Sequence, residues 1–287
     1  MKVARGPGDL GSGPRAVALG TFDGVHLGHR RVIETLLDAG PAPTVVTFDP
    51  HPRTALGNRV DLLMSLERRL ELLAGLGVDA ALVVEFTLHV AGLEPQAFAD
   101  QFLRPLGAET VVAGEDFRFG RARRGDLALL EKLGFATGPV PLIENVSSTR
   151  IRELVRDGDV QAAAQLLGRP VEVEGIVVTG DARGGTLGFP TANLDVRPEL
   201  LVPQNGIYAG AAGENRAAVS IGTNPHYGGS ERRVEAFLLD FEGDLYGRRL
   251  IVEFWERLRD EQSFESEQAL IDQIARDVER TRAATRP

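Results

Sequence analysis

Four short apolar runs rich in valine constrain the fold most. They occupy residues 16–19, 44–48, 80–84 and 110–113, and stretches of helical periodicity separate them. Runs this short and this uniformly apolar suit strands buried on both faces of a parallel sheet. Between them, Leu66, Leu70 and Leu73 recur at helical spacing over 65–76, with Ser65 placed to cap the first turn. Residues 95–103 and 126–133 follow the same pattern, and the stretch 20–29 enters a helix that begins near Gly28. Residues 147–155 and 160–167 give two consecutive helices, closed by the breaker Gly168-Arg169-Pro170. Strand and helix alternating in this way imply a doubly wound, Rossmann-like α/β layer structure.

After Pro170 the texture changes. Residues 171–179 alternate Val and Ile with Glu and Gly, and 206–212, 217–222, 234–241 and 250–258 are further strand candidates set between Gly, Pro and Asn. Strands at this spacing point to a small antiparallel barrel or sandwich. The end, 263–280, returns to helical period through Phe264, Leu270, Ile271, Ile274 and Val278. Two domains are therefore expected, 1–168 and 169–287.

Composition excludes several function classes. The net charge is −9, and residues 170–287 alone carry 13 Arg against 20 Asp and Glu. A nucleic-acid binder neutralises phosphates and is usually basic, so no nucleic-acid partner is expected. There is no cysteine, which removes disulfides, thiolate metal sites and a cysteine nucleophile. No stretch approaches the roughly 20 apolar residues that span a bilayer, and residues 1–15 lack the apolar core of a signal peptide. The expectation is a cytoplasmic protein with small-molecule partners and no membrane contact.

The most informative stretch is Gly20-Thr21-Phe22-Asp23-Gly24-Val25-His26-Leu27-Gly28-His29. It leaves a buried strand and enters a helix, at the carboxyl edge where open α/β sheets bind ligands. Glycines let backbone approach a phosphate, and a helix start offers free N–H groups and a positive dipole. His26 and His29, three apart, point to one place. They can donate to a triphosphate as charge builds up in a transition state; ordinary packing of two histidines is the alternative. A second anion-binding candidate is Ser147-Ser148-Thr149-Arg150-Ile151-Arg152, about 120 residues downstream. Serine there also serves as a helix cap, and the two roles are compatible.

The residues 20–29 resemble the H-x-G-H signature of the nucleotidyltransferases, and 147–152 resemble their partner motif. Thr47-Phe48-Asp49-Pro50-His51-Pro52 and Gly114-Glu115-Asp116-Phe117-Arg118-Phe119-Gly120 look like the adenylyltransferase module of bacterial bifunctional riboflavin kinase/FAD synthetases. That resemblance implies ATP binding by Gly20, Phe22, Asp23, His26 and His29, with Ser148, Thr149 and Arg152 completing a phosphate cradle. It assigns catalytic roles to the two histidines, adenosine or metal contact to Asp116, and flavin contact to Asp49 and Phe117. Phe117 and Phe119 also read as core.

In the second half, residues 180–194 form a glycine-rich loop that runs into Pro190-Thr191-Ala192-Asn193. Thr191 and Asn193 are two apart, hence on one face of an extended segment, and offer neutral oxygens to a hard cation such as Mg²⁺. This string resembles the riboflavin kinase motif, and the resemblance continues through 205–208, 221–225, 234–241 and 244–247. It implies a six-stranded barrel that moves the γ-phosphoryl of ATP onto riboflavin, with Mg²⁺ on Thr191 and Asn193. Gly184 and Gly188 fall on the ATP loop, Glu235 on the catalytic carboxylate, and Arg257 and Arg259, after Trp255, on a basic stretch near the flavin. Gly185 and His226-Tyr227 depart from the commoner residues of that pattern. The whole implies FMN made from riboflavin and ATP, then FAD made from FMN and ATP. A flavin-binding regulator without ATP turnover is the reading from another class.

Overall fold

The computed structural model describes residues 1–11, 13–180, 188–223 and 232–287. The chain forms two compact units, one of residues Met1–Val60 and Ser65–Ser147, the other of Asp61–Met64 and Ser148–Pro287.

The first unit is built on a six-stranded sheet: β1 (Lys2–Ala4), β2 (Arg15–Leu19), β3 (Thr44–Asp49), β4 (Ala80–Glu85), β5 (Ala108–Gly114) and β6 (Ala136–Val140), in the order β1-β4-β3-β2-β5-β6. Every pairing is parallel. The valine-rich runs are its central strands, buried on both faces: Val17, Val45, Val46, Leu82, Val83, Val111 and Val112 are fully buried. Each such side chain contributes roughly 1.5–3 kcal/mol of transfer free energy. From β2 the chain moves outward to β3 and β4, then returns to the other side of β2 as β5. The sheet's switch point therefore lies between the carboxyl ends of β2 and β5, where ligands enter this class of fold.

Two strands escaped the sequence reading. β1 is three residues long at the sheet edge, with Val3 48% exposed, and has too little burial to leave a pattern. β6 reads Ala-Thr-Gly-Pro-Val; Pro139 is tolerated because an edge strand leaves one side unpaired. The helices lie where periodicity put them, at Leu27–Asp38, Leu66–Gly75 and Leu127–Lys132. The pattern at 95–103 continues to residue 106 and stops at Gly107, whose φ of 77° is the left-handed cap that glycine suits.

In the second unit, β7 (Val171–Val178), β8 (Ala192–Asp195), β9 (Gly206–Ala212), β10 (Asn215–Thr223), β11 (Arg232–Leu238) and β12 (Arg249–Arg259) close into a barrel, in the order β10-β11-β8-β7-β12-β9. Of barrel and sandwich, the structure is the barrel. Val173, Tyr208, Val219, Ile221, Ala236, Val252 and Phe254 belong to its core. β8, too short for an alternation signal, was not read as a strand. Gly210 permits closure: a Cβ there would lie 1.8 Å from the Glu253 carbonyl oxygen. The helices Ser148–Arg156 and Val160–Leu167 add Ile151, Val155, Val160, Ala163 and Leu167 to the same core. The final helix, Glu267–Ala283, is pinned to the barrel by Arg259–Asp277 at 2.8 Å and Arg282–Asp240 at 2.6 Å.

Candidate active sites

In the first unit the turn after β2 carries the histidine motif. Phe22 and Val25 hold positive φ, 50° and 38°, as does Gly24 at 91°. A backbone so bent is costly for side-chain-bearing residues and is a mark of functional turns. Phe22, Asp23 and Val25 are buried to 1% exposure or less, which fixes the turn from inside. Gly20 is required by close approach: a Cβ there would meet the Phe22 ring at 3.0 Å.

His26 caps the Leu27–Asp38 helix, its Nδ1 accepting from the His29 N–H at 3.3 Å. In a neutral imidazole the proton then sits on Nε2. The His26 and His29 rings stack 3.6 Å apart at 16°, and Phe22 meets His29 edge-on at 5.3 Å. Two imidazoles are thus clamped together at a helix start beside the switch point, the place for anion binding.

Other residues assigned to this site are found as follows. Asp49 ends β3, half-buried, 3.7 Å from Arg5. Asp116 is exposed on the turn after β5. Phe117 is half-buried, stacks on Phe119 at 5.8 Å and packs on the core, so it serves structure whatever else it meets. Ser148, Thr149 and Arg152 begin a helix of the second unit. Arg152 is 7% exposed, and its Nε donates to the Asp61 carbonyl at 2.8 Å.

Sequence reasoning missed Arg69. It is 2% exposed, donates to Thr47 Oγ1 at 3.1 Å and to the Phe48 carbonyl at 3.2 Å, and feels the charge of Asp23 and Asp49. The available signal was a charge at helical spacing with Leu66 and Leu73, on a side that should be apolar.

In the second unit a cavity of about 320 Å³ is lined in part by Phe189, Thr191, Ser220, Glu235, Phe237 and Arg259. Glu235 and Phe237 alternate with Ala236 on β11 and so share its cavity side. Thr191 Oγ1 donates to Glu235 Oε2 at 3.2 Å, and Asn193 is the registered partner of Glu235 across the β8–β11 ladder. The structure thus brings Thr191, Asn193 and Glu235 together. These are hard oxygen donors, which fit Mg²⁺ shared with a nucleotide; among the described residues no cluster of three or more His, Cys, Asp or Glu forms a metal cage. Gly188 has φ of 85°, outside the range other residues favour. Gly184, Gly185, His226 and Tyr227 lie outside the described residues.

Arg257 does not line this cavity. It donates to the Asn205 carbonyl at 2.7 Å and pairs with Asp260 at 2.6 Å; Arg259, two residues on, lines the cavity instead. Register shifts in β12 after Phe254 and after Arg257 make that choice invisible to simple alternation. Asp277 of the last helix also lines the cavity, bound to Arg259.

The riboflavin kinase family model matches residues 167–285, and the FAD synthetase family model matches 11–152. The bifunctional riboflavin kinase/FMN adenylyltransferase of Listeria monocytogenes is 38% identical over 94% of this chain and 92% of its own. The chain belongs to the bifunctional riboflavin kinase/FMN adenylyltransferase family. The Escherichia coli K12 member of the family is 36% identical, covering 96% of both chains. A Streptococcus pneumoniae crystal structure described as a macrolide-efflux protein superposes with a TM-score of 0.87 at 32% identity, over 98% of both chains. The efflux name is that protein's; among the described residues here no helix is long and apolar enough to cross a membrane.

Proposed function

We propose that the two activities of this family are divided between residues 169–287, which phosphorylate riboflavin, and residues 1–168, which adenylate FMN. Thr191 and Glu235, 3.2 Å apart in the barrel cavity, carry the reading for the first step. The riboflavin 5′-hydroxyl oxygen attacks the γ-phosphorus of ATP, the bond to ADP breaks, and the hydroxyl proton passes to Glu235. Thr191 orients that carboxylate. Thr191 and Asn193 would hold Mg²⁺, which supplies charge neutralisation for the phosphates. Gly184 and Gly188 are assigned to ATP binding on the family resemblance.

In the second step an oxygen of the FMN phosphate attacks the α-phosphorus of ATP and pyrophosphate leaves, giving FAD. His26 and His29 donate to the phosphates as charge shifts onto the leaving group. The Gly20, Phe22 and Asp23 turn shapes the ATP site, and Ser148, Thr149 and Arg152 are assigned to ATP on the family resemblance. Asp116 is assigned to adenosine or metal, and Asp49 and Phe117 to flavin. No side chain forms a covalent intermediate. The partners are small molecules; net charge −9 speaks against nucleic acid, and the setting is the cytoplasm, where ATP is supplied.

The test is a chromatographic time course with riboflavin, ATP and Mg²⁺. FMN should rise first, then FAD with pyrophosphate. His29→Ala should stop at FMN, while Glu235→Gln should lose FMN formation by about 10²-fold or more yet convert added FMN to FAD. FAD formation surviving in His29→Ala would refute the phosphate site. Riboflavin bound without turnover would favour the regulator.

A further inference from the structure

We propose that Arg69 is a positioning residue for adenylyl transfer, a buried cation that steadies the 20–29 turn through Thr47 and offsets the Asp23 carboxylate where anionic substrates approach. The inference rests on the reading of that turn as the adenylyl-transfer site.

The first observation is a relay of hydrogen bonds. Arg69 Nη1 donates to Thr47 Oγ1 at 3.1 Å, and the Thr47 hydroxyl donates in turn to the Thr21 carbonyl at 3.1 Å. A hydroxyl has one proton to give and lone pairs to receive, so the direction is fixed. A second bond from Nη1 reaches the Phe48 carbonyl at 3.2 Å, and the Gly20 N–H donates to the Val46 carbonyl at 3.2 Å. The guanidinium thus holds the end of β3, and β3 is joined to the histidine turn by the Thr47–Thr21 and Gly20–Val46 bonds.

The second observation is charge. Asp23 has no exposed surface and Arg69 is 2% exposed. Burial lowers the arginine pKa, while Asp23, Asp49 and Glu67, in that order, favour its cation. Arginine keeps its proton in proteins. A turn that must receive ATP and FMN phosphates beside a buried carboxylate would otherwise repel them.

The third observation is cost. Arg69 Nε is buried and has no hydrogen-bond partner among the described residues. Taking a guanidinium out of water with one donor unmet is unfavourable, and methionine or leucine would fill the space without that loss. Packing alone does not call for arginine here.

The test uses the full chain and the single-turnover rate constant for FMN to FAD, with enzyme and ATP in excess. That constant reads only folded, loaded molecules, so a stability defect does not lower it. Arg69→Met should reduce it about tenfold or more, with FMN formation from riboflavin unchanged. Arg69→Lys, which restores the charge, should recover it to within about threefold of the unaltered chain. Thr47→Val keeps the shape and cuts the relay; it should lower the constant about threefold or more, and it decides the matter if Arg69→Met does not fold. Unchanged constants in Arg69→Met and Thr47→Val, or in Thr47→Val alone where Arg69→Met cannot be purified, would make Arg69 merely structural and overturn the proposal. His29→Ala is measured alongside: if it too keeps its rate constant, the site reading has failed rather than the role of Arg69.

Discussion

Gly180→Ala should disable one activity of this chain and spare the other. Gly180 follows β7, and its backbone is outside the left-handed region, so alanine meets no conformational strain there. Space is the obstacle. An added Cβ would lie 2.3 Å from Asn193 Nδ2, 2.4 Å from Cγ and 2.6 Å from Oδ1. Non-bonded heavy atoms settle at roughly 3.5 Å, so the Asn193 amide must move by about 1 Å. Asn193 is half-buried at a short barrel strand, so it can swing aside and folding loses little. The function loses more, because a displacement of about 1 Å at a positioned group can cost about 10²-fold in rate. At about 1.4 kcal/mol per factor of ten, that is about 2.8 kcal/mol of transition-state stabilisation. The assay is FMN formation from riboflavin, with FAD formation from added FMN as the control in the same preparation. Kinase kcat within threefold of the unaltered chain would refute the placement of Asn193 in the kinase site.

Gly20→Ala should do the converse. Its Cβ would press two carbons of the buried Phe22 ring at 3.0 Å, and that ring braces His29 at 5.3 Å. Overpacking should cost about 1–3 kcal/mol of stability, with FAD formation down about tenfold and FMN formation intact in the paired assays. Tyr208→Phe probes the barrel at alkaline pH. Burial raises the Tyr208 pKa, with Arg257 opposing, and its hydroxyl donates to the Gln204 carbonyl at 2.5 Å. The neutral phenol is favoured in the fold, so its stabilisation is full below the ordinary value of about 10 and is lost as pH rises through the raised one. Thermal unfolding should show Tyr208→Phe less stable by about 1 kcal/mol at neutral pH, with a shallower loss above pH ~10.

Much of both sites was legible because short motifs sit on elements whose period the sequence displays. The strand before Gly20 and the helix after it put His26 and His29 at a helix start, which the structure bears out. Thr191 and Glu235 lie 44 residues apart; the family resemblance assigned both to the kinase site, and the structure brings them into contact. Where signals were weak, elements were missed: β1 is too short and too exposed, β6 contains Gly138-Pro139, and β8 is four residues long. Arg257 and Arg259 could not be told apart, since two register shifts break the alternation that sequence reasoning relies on.

By itself, the sequence determined the layer class, the order of elements and the chemistry of the motifs. These follow from local periodicity, glycine placement and residue type, each acting within one or two turns of chain. Strand spacing left barrel and sandwich open and the family resemblance implied the barrel; the tertiary structure shows how it closes, with β9 meeting β12 at Gly210, from segments far apart. It alone showed the stacking of His26 on His29, the cavity with Arg259 and Asp277 in its wall, and the burial of Arg69 against the end of β3. Such groups are brought together by long-range packing, and no spacing along the chain encodes the distance between them.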